Sequence, residues 1–337
     1  MQLNKDISLK KYNTFGIDVR AKYFYSIETI EQLNTLLKSL INKPKFILGG
    51  GSNLLLTKNI NAHVIYVNTK GIKVTSENKT HVNVSCAAGE EWHDFVLWTL
   101  EKGYGGIENL SLIPGKTGTA PIQNIGAYGV ELKDIFVSCE AVERETLKTK
   151  TFTKEDCNFG YRDSVFKNDY KDKYIITSVT LKLTKSNHTL NYSYGAIKQT
   201  LENRQVFTPT INDISDAVIK IREDKLPNPS DIGNSGSFFK NPIISLDHFK
   251  KLKSEFSDIP SYPVNDNDVK VPAGWLIEKA GFKGLRLENY GVHNKQALVL
   301  VNFGGASGQQ ISDLSKSIQE VIKKIFKIDL IAEVNII

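Results

Sequence analysis

The stretch 103–131 constrains the fold more than any other part of the chain. It reads GYGGIENLSLIPGKTGTAPIQNIGAYGVE and contains seven glycines and two prolines, which disfavour a long helix or strand. A loop of this length in a compact protein is either functional or disordered. Its scattered Ile, Leu and Tyr side chains argue against disorder, because they offer apolar surface to bury. We therefore expect a packed, functional loop.

The segments around this loop predict an α+β fold, because strands and helices alternate without regular βαβ repetition. A capping box of Thr29 and Gln32 starts the first helix. The predicted strands are 20–27, 45–48, 62–67, 81–89, 135–144, 174–183, 297–302 and the closing residues 328–337. The first predicted helix carries Leu33, Leu36, Leu37 and Leu40. Further helices are predicted at about 90–102, 213–224, 246–256 and 273–280. The last is an amphipathic helix that begins at Ser307 or Gly308 and has on one face Ile311, Leu314, Ile318, Val321, Ile322 and Ile325.

Length and composition narrow the class of protein. A chain of 337 residues suggests two or three domains, and the proline-punctuated segment KLPNPSDIGNSG (225–236) marks a boundary. The net charge of +6 is spread along the chain, which favours a small anionic ligand over nucleic acid. Three cysteines without C-x-x-C spacing predict reduced thiols, and the scattered histidines predict no metal site. Because the sequence has no long apolar run, we expect no membrane-spanning segment and a cytoplasmic protein.

Two glycine-rich loops are candidate nucleotide sites. The strand KFIL runs into Gly49-Gly50-Gly51-Ser52-Asn53, whose unshielded backbone N–H groups suit a diphosphate, although a structural turn fits this motif equally well. About 60 residues later, IPGKTGTAPIQNIGAYG (113–129) offers close backbone approach, hydroxyls and amides. Together the two loops have the reach to wrap one dinucleotide, and a packed structural loop is the alternative.

Three further residues are candidates for the chemistry. Arg162 in FGYRDSVFK (159–167) suits a carboxylate, since a guanidinium binds it at two points. Ser237 in GNSGSFFKNP (233–242) is placed to project from a tight turn, and the motif lacks the G-x-S-x-G elbow of hydrolases. Glu333 lies among apolar residues of the predicted last strand, facing either solvent or a site. Packing roles explain each of these residues when it is taken alone.

Taken together, these motifs resemble the UDP-N-acetylenolpyruvoylglucosamine reductase (MurB) family, in its type I form. The resemblance runs from about Tyr12 to Glu333 and rests on several long segments in family order. These are 13–16, 49–55, 87–96, 107–131, 159–167, 225–229, 233–242, 273–284 and the closing AEV. The segment NYSYGAIKQTLE (191–202) resembles the tyrosine-bearing loop that marks type I.

The resemblance implies a flavin-binding fold of the vanillyl-alcohol-oxidase (PCMH) type with a separate C-terminal α+β substrate-binding domain. The implied ranges are 1–60 and 61–225 for two FAD-binding subdomains (PCMH-type region about 17–186), 226–325 for the substrate domain and 326–337 for a closing strand with Glu333. The implied FAD contacts are Gly49, Gly50, Gly51, Ser52, Asn53, Pro114, Gly115, Thr117, Gly118, Thr119, Gln123, Asn124, Gly126, Ala127, Tyr128 and Tyr161. The implied substrate contacts are Tyr194, Lys225, Asn241, Tyr262, Lys283 and Gln296, with Arg222 as a weaker candidate.

The implied reaction takes place in two halves and serves peptidoglycan synthesis. NADPH reduces FAD, and UDP-N-acetylenolpyruvoylglucosamine is then reduced at its enolpyruvyl double bond. Negative charge develops on the carbon that bears the carboxylate, so this carbon needs a proton and the charge needs stabilisation. The resemblance makes Ser237 the proton donor, while Arg162 and Glu333 hold the carboxylate, Glu333 either as the neutral acid or by orienting the arginine or a water. The sequence does not determine the oligomeric state, and a monomer is the default expectation.

Two other functions are consistent with part of these motifs. An oxidase or dehydrogenase of the same fold is one, although the absence of histidine from GGGSN and 113–131 favours a dissociable flavin. A nucleotide-binding module without catalysis is the other. The visible absorption of a bound flavin distinguishes that module from either enzyme.

Overall fold

The chain folds into two compact units. A computed structural model describes residues 2–337. Residues 2–7, 21–50 and 60–224 form the first unit, and residues 8–20, 51–59 and 225–337 form the second. The ranges expected from the sequence follow chain order, whereas these units interleave, because 8–20 and 51–59 pack with the C-terminal residues. The assignment of each range to cofactor or substrate binding stays a prediction.

Helices and strands alternate throughout residues 2–337. The strands are β1 Leu3–Ser8, β2 Arg20–Ile27, β3 Lys45–Leu48, β4 Leu54–Leu55, β5 Ile60–Val67, β6 Ile72–Glu77, β7 His81–Ala87, β8 Gly126–Ala127, β9 Val130–Glu131, β10 Phe136–Glu143, β11 Thr149–Thr153, β12 Tyr174–Thr184, β13 Gly233–Ser237, β14 Ile243–Ser245, β15 Tyr262–Pro263, β16 Asp268–Lys270, β17 Arg286–Leu287, β18 Tyr290–Val292, β19 Val299–Asn302 and β20 Asn335–Ile336. The α-helices are α1 Ile30–Ser39, α2 Trp92–Glu101, α3 Leu132–Ile135, α4 Lys154–Cys157, α5 Ile197–Asn203, α6 Ile211–Lys225, α7 Leu246–Glu255, α8 Ala273–Lys279 and α9 Gly308–Phe326.

A four-stranded sheet in the first unit leads the chain into the first glycine-rich loop. Its order is β1-β2-β5-β3, with β5 parallel to both β2 and β3. Helix α1 buries Leu33, Leu36 and Leu37 in the adjoining apolar cluster. The Thr29 hydroxyl accepts the Gln32 N–H, as the capping signal predicts. Strand β3 ends at Leu48, and the first glycine-rich loop begins with the next residue, Gly49.

An antiparallel five-stranded sheet carries the second glycine-rich loop. Its order is β11-β10-β12-β7-β6. Its apolar face packs with α2, whose Trp92, Phe95 and Val96 are buried in the same cluster as Ile107 and Leu110. The loop therefore contributes side chains to the core, which confirms that 103–131 is packed. Short 3₁₀ turns and the hairpin β8-β9 interrupt it.

The second unit is built on the antiparallel sheet β13-β19-β18-β17. Helix α9 packs on β18, β19 and α8. The apolar spacing of α9 is confirmed for Ile311, Leu314, Ile318 and Ile322, which are buried, but Ile325 is 41% exposed. The predicted position of Ile325 is wrong, because Phe326 occupies the buried face of the last turn instead.

The predicted closing strand is mostly wrong. Only Asn335–Ile336 of it is a strand, which pairs in parallel with Leu54–Leu55. Residues 328–334 instead run as irregular chain, held by an isolated bridge between Phe239 and Ala332. Glu333 consequently lies outside a regular strand and is half-buried.

Within residues 2–337, the helices include none that combines the length and apolar character needed to cross a bilayer. The same residues contain no group of three or more His, Cys, Asp and Glu side chains arranged to hold a metal ion. The thiols of Cys86, Cys139 and Cys157 are buried and unlinked.

Replacing the residue that caps α9 tests the account of this helix. The Ser307 hydroxyl accepts the Gln310 N–H at 3.2 Å, and the Gln310 side chain accepts the Ser307 N–H at 2.8 Å. We expect Ser307→Ala to lower the free energy of unfolding by about 1 kcal/mol, because one helix donor loses its acceptor. Urea titration measures the change. Ser317→Ala, which removes an exposed hydroxyl of the same helix, is the control, and equal losses in the two variants would contradict the capping role.

Candidate active site

The two glycine-rich loops touch through their backbones. A Cβ atom built on Gly50 lies 2.7 Å from the Gly115 Cα atom, and one built on Gly49 lies 2.5 Å from the Thr119 Cγ2 atom. Both distances are too short for any residue but glycine. The two loops are therefore in direct contact within the first unit, and their joint binding of one dinucleotide stays a prediction.

Backbone donors are available where the loops meet. The N–H groups of Gly50 and Gly115 donate to no acceptor within residues 2–337. By contrast, the N–H groups of Thr117 and Gly118 donate to the carbonyls of Glu90 and Ala88. Unsatisfied N–H groups on glycine are chemically matched to phosphate oxygens. The residues present therefore fit the diphosphate of a dinucleotide.

The threonine hydroxyls of this loop are engaged within the protein. The Thr119 hydroxyl donates to the Lys116 carbonyl at 2.7 Å. The Thr117 hydroxyl is buried and accepts the Cys86 thiol at 3.5 Å. Both hydroxyls therefore form hydrogen bonds within the protein. The groups of this loop that are available to an anion are backbone N–H groups.

Lys116 is a feature that the sequence analysis missed. Its side chain is 1% exposed, and its ammonium lies 3.1 Å from the Val67 carbonyl, 2.9 Å from Asn68 Oδ1 and 3.9 Å from the centre of the Tyr66 ring. Burial lowers the pKa of this ammonium to about 8, an effect that the nearby Glu91 carboxylate opposes. The lysine anchors the loop to the end of β5. No sequence pattern marks a lysine whose burial depends on packing.

Arg162 lies against the hairpin β8-β9. Its Nη2 atom donates to the Gly126 carbonyl at 2.5 Å, and its guanidinium carbon lies 5.6 Å from the centre of the Tyr161 ring. A Cβ atom on Gly126 would lie 2.9 Å from Arg162 Nη1. A side chain at position 126 would therefore displace the guanidinium from this position.

Asn124 supports the same turn from behind. Its buried side chain donates to the Gly160 carbonyl and to Glu131 Oε2, both at 3.0 Å, and accepts the Lys133 N–H at 3.0 Å. The amide is thus committed to holding the segment that carries Tyr161 and Arg162. It was expected as an FAD contact, and the structure assigns this side chain an internal role.

The loop expected to carry the substrate tyrosine packs on the turn of that hairpin. Tyr128 and Gly129 form the turn with φ angles of 50° and 82°. Asn191 donates to the Gly129 carbonyl at 3.2 Å, and the Asn191 carbonyl accepts the Asn109 amide at 2.6 Å. Tyr194 is 54% exposed beside this contact. The tyrosine is thus placed next to one of the candidate FAD segments.

Arg222 contacts the beginning of the second glycine-rich loop. Its Nε atom donates to the Leu112 carbonyl at 3.2 Å. Burial lowers the pKa of the guanidinium, while the Tyr128 hydroxyl acts in the opposite direction. The structure thus places this weaker substrate candidate against the candidate cofactor loop of the first unit.

Ser237 and Glu333 come together in the second unit. The Glu333 N–H donates to the carbonyl of Phe238, the residue after Ser237, at 2.8 Å. The Glu333 carbonyl accepts the Asn53 amide at 3.2 Å. Ser237 is exposed, whereas Phe238 is buried. Three predicted site residues that are far apart in the chain are therefore neighbours.

The expected substrate contacts fall into separate places. Asn241 accepts the Ala273 N–H at 2.9 Å, and Gln296 Oε1 lies 3.1 Å from a Cβ atom built on Gly274, so both amides meet the first turn of α8. Tyr262 is 55% exposed on β15. Elsewhere, Lys283 pairs with Glu278 at 2.8 Å, and Lys225 ends α6.

Comparison with known proteins gives this arrangement a family. Residues 21–146 match the model of an FAD binding domain, and residues 228–337 match the C-terminal domain of UDP-N-acetylenolpyruvoylglucosamine reductase. A protein of that name from Flavobacterium johnsoniae is 55% identical over 337 residues, with 100% of both chains covered. The chain belongs to the UDP-N-acetylenolpyruvoylglucosamine reductase family.

Other members of the family agree in length and fold. The Pseudomonas putida protein is 45% identical and covers 100% of this chain and 99% of its own. The crystal structure of the Thermus caldophilus reductase (MurB) superposes with a TM-score of 0.70 over 100% of this chain and 99% of its own, at 22% identity. The predicted fold class is confirmed: this is an α+β flavoprotein with an FAD-binding domain and a separate C-terminal domain.

Substitution of Gly50 tests whether contact between the two loops builds the FAD site. We expect Gly50→Ala to reduce FAD affinity at least ~10-fold, because its Cβ atom collides with the Gly115 backbone and displaces both loops. Flavin absorbance after dialysis and titration of apoprotein with FAD measure the loss. Gly103→Ala is the control, since Gly103 has a φ of 71° but open space around it. If both variants kept wild-type affinity, the contact would have no part in FAD binding.

Proposed function

We propose that this chain catalyses the NADPH-dependent reduction of the enolpyruvyl group of UDP-N-acetylenolpyruvoylglucosamine, which yields UDP-N-acetylmuramate for peptidoglycan. The proposal is supported by full-length relatives of that name and by the FAD-binding domain. The observation that carries it is the meeting of Ser237 and Glu333 across Phe238, because proton delivery and carboxylate binding are needed at one place.

The two glycine-rich loops are proposed to hold the FAD diphosphate. The N–H groups of Gly50 and Gly115 would contact its oxygens, and Tyr161 and Ala127 would flank the ring system. FAD, when bound, accepts hydride from NADPH and passes it to the enolpyruvyl double bond. The remaining chemistry falls to side chains of this chain.

Ser237 is proposed to give its hydroxyl proton to the carbon that bears the substrate carboxylate. A serine hydroxyl is a weak acid, but the carbanionic carbon formed by hydride addition is a strong base. Exclusion of water keeps the transfer directed to this carbon. The exposed position of the Ser237 side chain on its own unit is compatible with access to a bound ligand.

Arg162 is proposed to hold the substrate carboxylate, and Glu333 to act on the same group beside Ser237. The guanidinium has a planar fork that matches a carboxylate at two points. Its position is defined by the Gly126 carbonyl, so the group is oriented before substrate arrives. Loss of one such stabilising group in other enzymes costs ~10²–10³ in rate.

The nucleotide end of the substrate is proposed to contact Tyr194, Lys225, Asn241, Tyr262, Lys283 and Gln296. Two lysines suit the two charges of a diphosphate. The mild net charge of +6 favours small anionic substrates over nucleic acid. We also propose that the enzyme is a cytoplasmic monomer that does not bind membranes.

Removal of the Ser237 hydroxyl tests the proton-donor role. We expect Ser237→Ala to keep reduction of bound FAD by NADPH within about 3-fold of wild type, because that half-reaction needs no proton from serine. Reoxidation by the enolpyruvyl substrate should slow by at least ~10³. Stopped-flow absorbance follows each half-reaction. Ser254→Ala, which removes an exposed hydroxyl of α7, is the control, and equal losses in both half-reactions of Ser237→Ala would refute the role.

Exchange of Arg162 for lysine tests carboxylate binding. We expect Arg162→Lys to lower kcat/KM for the enolpyruvyl substrate ~10²-fold, because an ammonium lacks the two-point contact. Steady-state assay with NADPH in excess measures this. Arg144→Lys is the control, since Arg144 also donates to backbone carbonyls, those of Asp172 and Lys45. Wild-type kcat/KM in Arg162→Lys would remove this residue from the site.

A further inference from the structure

The strand that carries Ser237 contains a β-bulge. Along the pairing of β13 with β19, Asn234 faces Val301 and Ser237 faces Val299, so two residues of β13 oppose one of β19. The second of the two, Gly236, has a φ of 67°. A bulge with a left-handed glycine twists its strand and changes the direction of the next side chain. Here that next side chain is Ser237.

A buried asparagine holds this bulge. The Asn234 side chain is 2% exposed, and its Oδ1 atom accepts the Gly236 N–H at 2.9 Å, a donor that the bulge removes from the ladder. Its Nδ2 atom donates to the carbonyls of Ile232 at 2.8 Å and Pro227 at 3.1 Å. One amide therefore joins the bulge to the loop 226–232, which follows Lys225 directly.

We propose that Asn234 is the positioning residue of the proton donor Ser237. This inference rests on the proposed function and adds to it a residue that touches neither substrate nor cofactor. The bulge gives the serine hydroxyl its direction, and the Asn234 amide keeps the bulge in one conformation. A displacement of a reacting group by about 1 Å can cost ~10²-fold in rate.

The first test compares two asparagines of the same sheet. Asn302 on β19 is also buried, and it also accepts the N–H of a glycine two residues later, Gly304, at 2.8 Å. Its Nδ2 atom donates to the Phe15 carbonyl at 2.8 Å, so its hydrogen bonds hold a turn that does not carry Ser237. Asn234→Ala and Asn302→Ala thus each remove three hydrogen bonds of a buried amide, with different predicted consequences.

The expected result is a selective effect on one half-reaction. In Asn234→Ala, reoxidation of reduced FAD by the enolpyruvyl substrate should slow ~10–100-fold and show a larger solvent deuterium isotope effect than wild type. Reduction by NADPH should stay within about 3-fold. In Asn302→Ala, both half-reactions should stay within about 3-fold at a similar loss of thermal stability. Equal effects of the two variants on reoxidation, or an unchanged isotope effect in Asn234→Ala, would overturn the proposal.

A second variant covers the case in which Asn234→Ala does not fold. A Cβ atom built on Gly236 has no heavy atom within 4 Å, so Gly236→Ala disturbs only the backbone conformation of the bulge. We expect the same selective slowing of reoxidation and the same larger isotope effect. Wild-type reoxidation in a folded Gly236→Ala would show that the bulge has no part in proton delivery.

Ser237→Ala separates this inference from the proposed function. If Ser237→Ala leaves reoxidation at the wild-type rate, the proton-donor role fails and the positioning role fails with it. If Ser237→Ala slows reoxidation while Asn234→Ala and Gly236→Ala do not, the positioning role alone is wrong. Measuring the three variants with the same substrate preparation keeps these two outcomes distinct.

Discussion

The close approach of Gly50 to Gly115 is the constraint on which the candidate cofactor site depends. With 2.7 Å between a Cβ atom on one residue and the Cα atom of the other, the two loops accept no side chain at their meeting point. The same absence of side chains exposes the two backbone N–H groups. Close packing of the loops and binding of an anion by their N–H groups thus both require a residue without a side chain, which is glycine. The buried Lys116 ties the second of these loops to the end of β5.

Local patterns in the sequence were sufficient for the elements with strong periodicity. Strands 20–27 and 45–48 and the entry of α9 at Ser307 are confirmed residue by residue, because apolar spacing and caps act over a few positions. Strand β6 was missed, since most of its residues are exposed and its pairing comes from β7. Strand β13 reads GNSGS and was expected as a turn, because its strand conformation is imposed by β19 rather than by its own side chains.

The candidate site was predictable as a set of motifs but not as an arrangement. Ser237 and Glu333 are named by the family resemblance, whereas their meeting through the Phe238 carbonyl depends on irregular chain that has no sequence signature. The expected FAD contact of Asn124 stays a prediction. Its place in a glycine-rich motif favoured a cofactor contact, yet its three hydrogen bonds all stay inside the protein. A motif identifies residues near a site, but it does not distinguish the residues that contact a ligand from those that hold the site in place.

Neutral amides provide these supports for a physical reason. Asn124, Asn234 and Asn302 are each buried, and each combines a donor and an acceptor on one short side chain. An aspartate in the same place would lack the donors and would bring a charge whose desolvation costs several kcal/mol. An amide therefore satisfies the N–H groups that turns and bulges remove from the sheet without burying a charge. For this reason a neutral asparagine, Asn234, suits the bulge before Ser237.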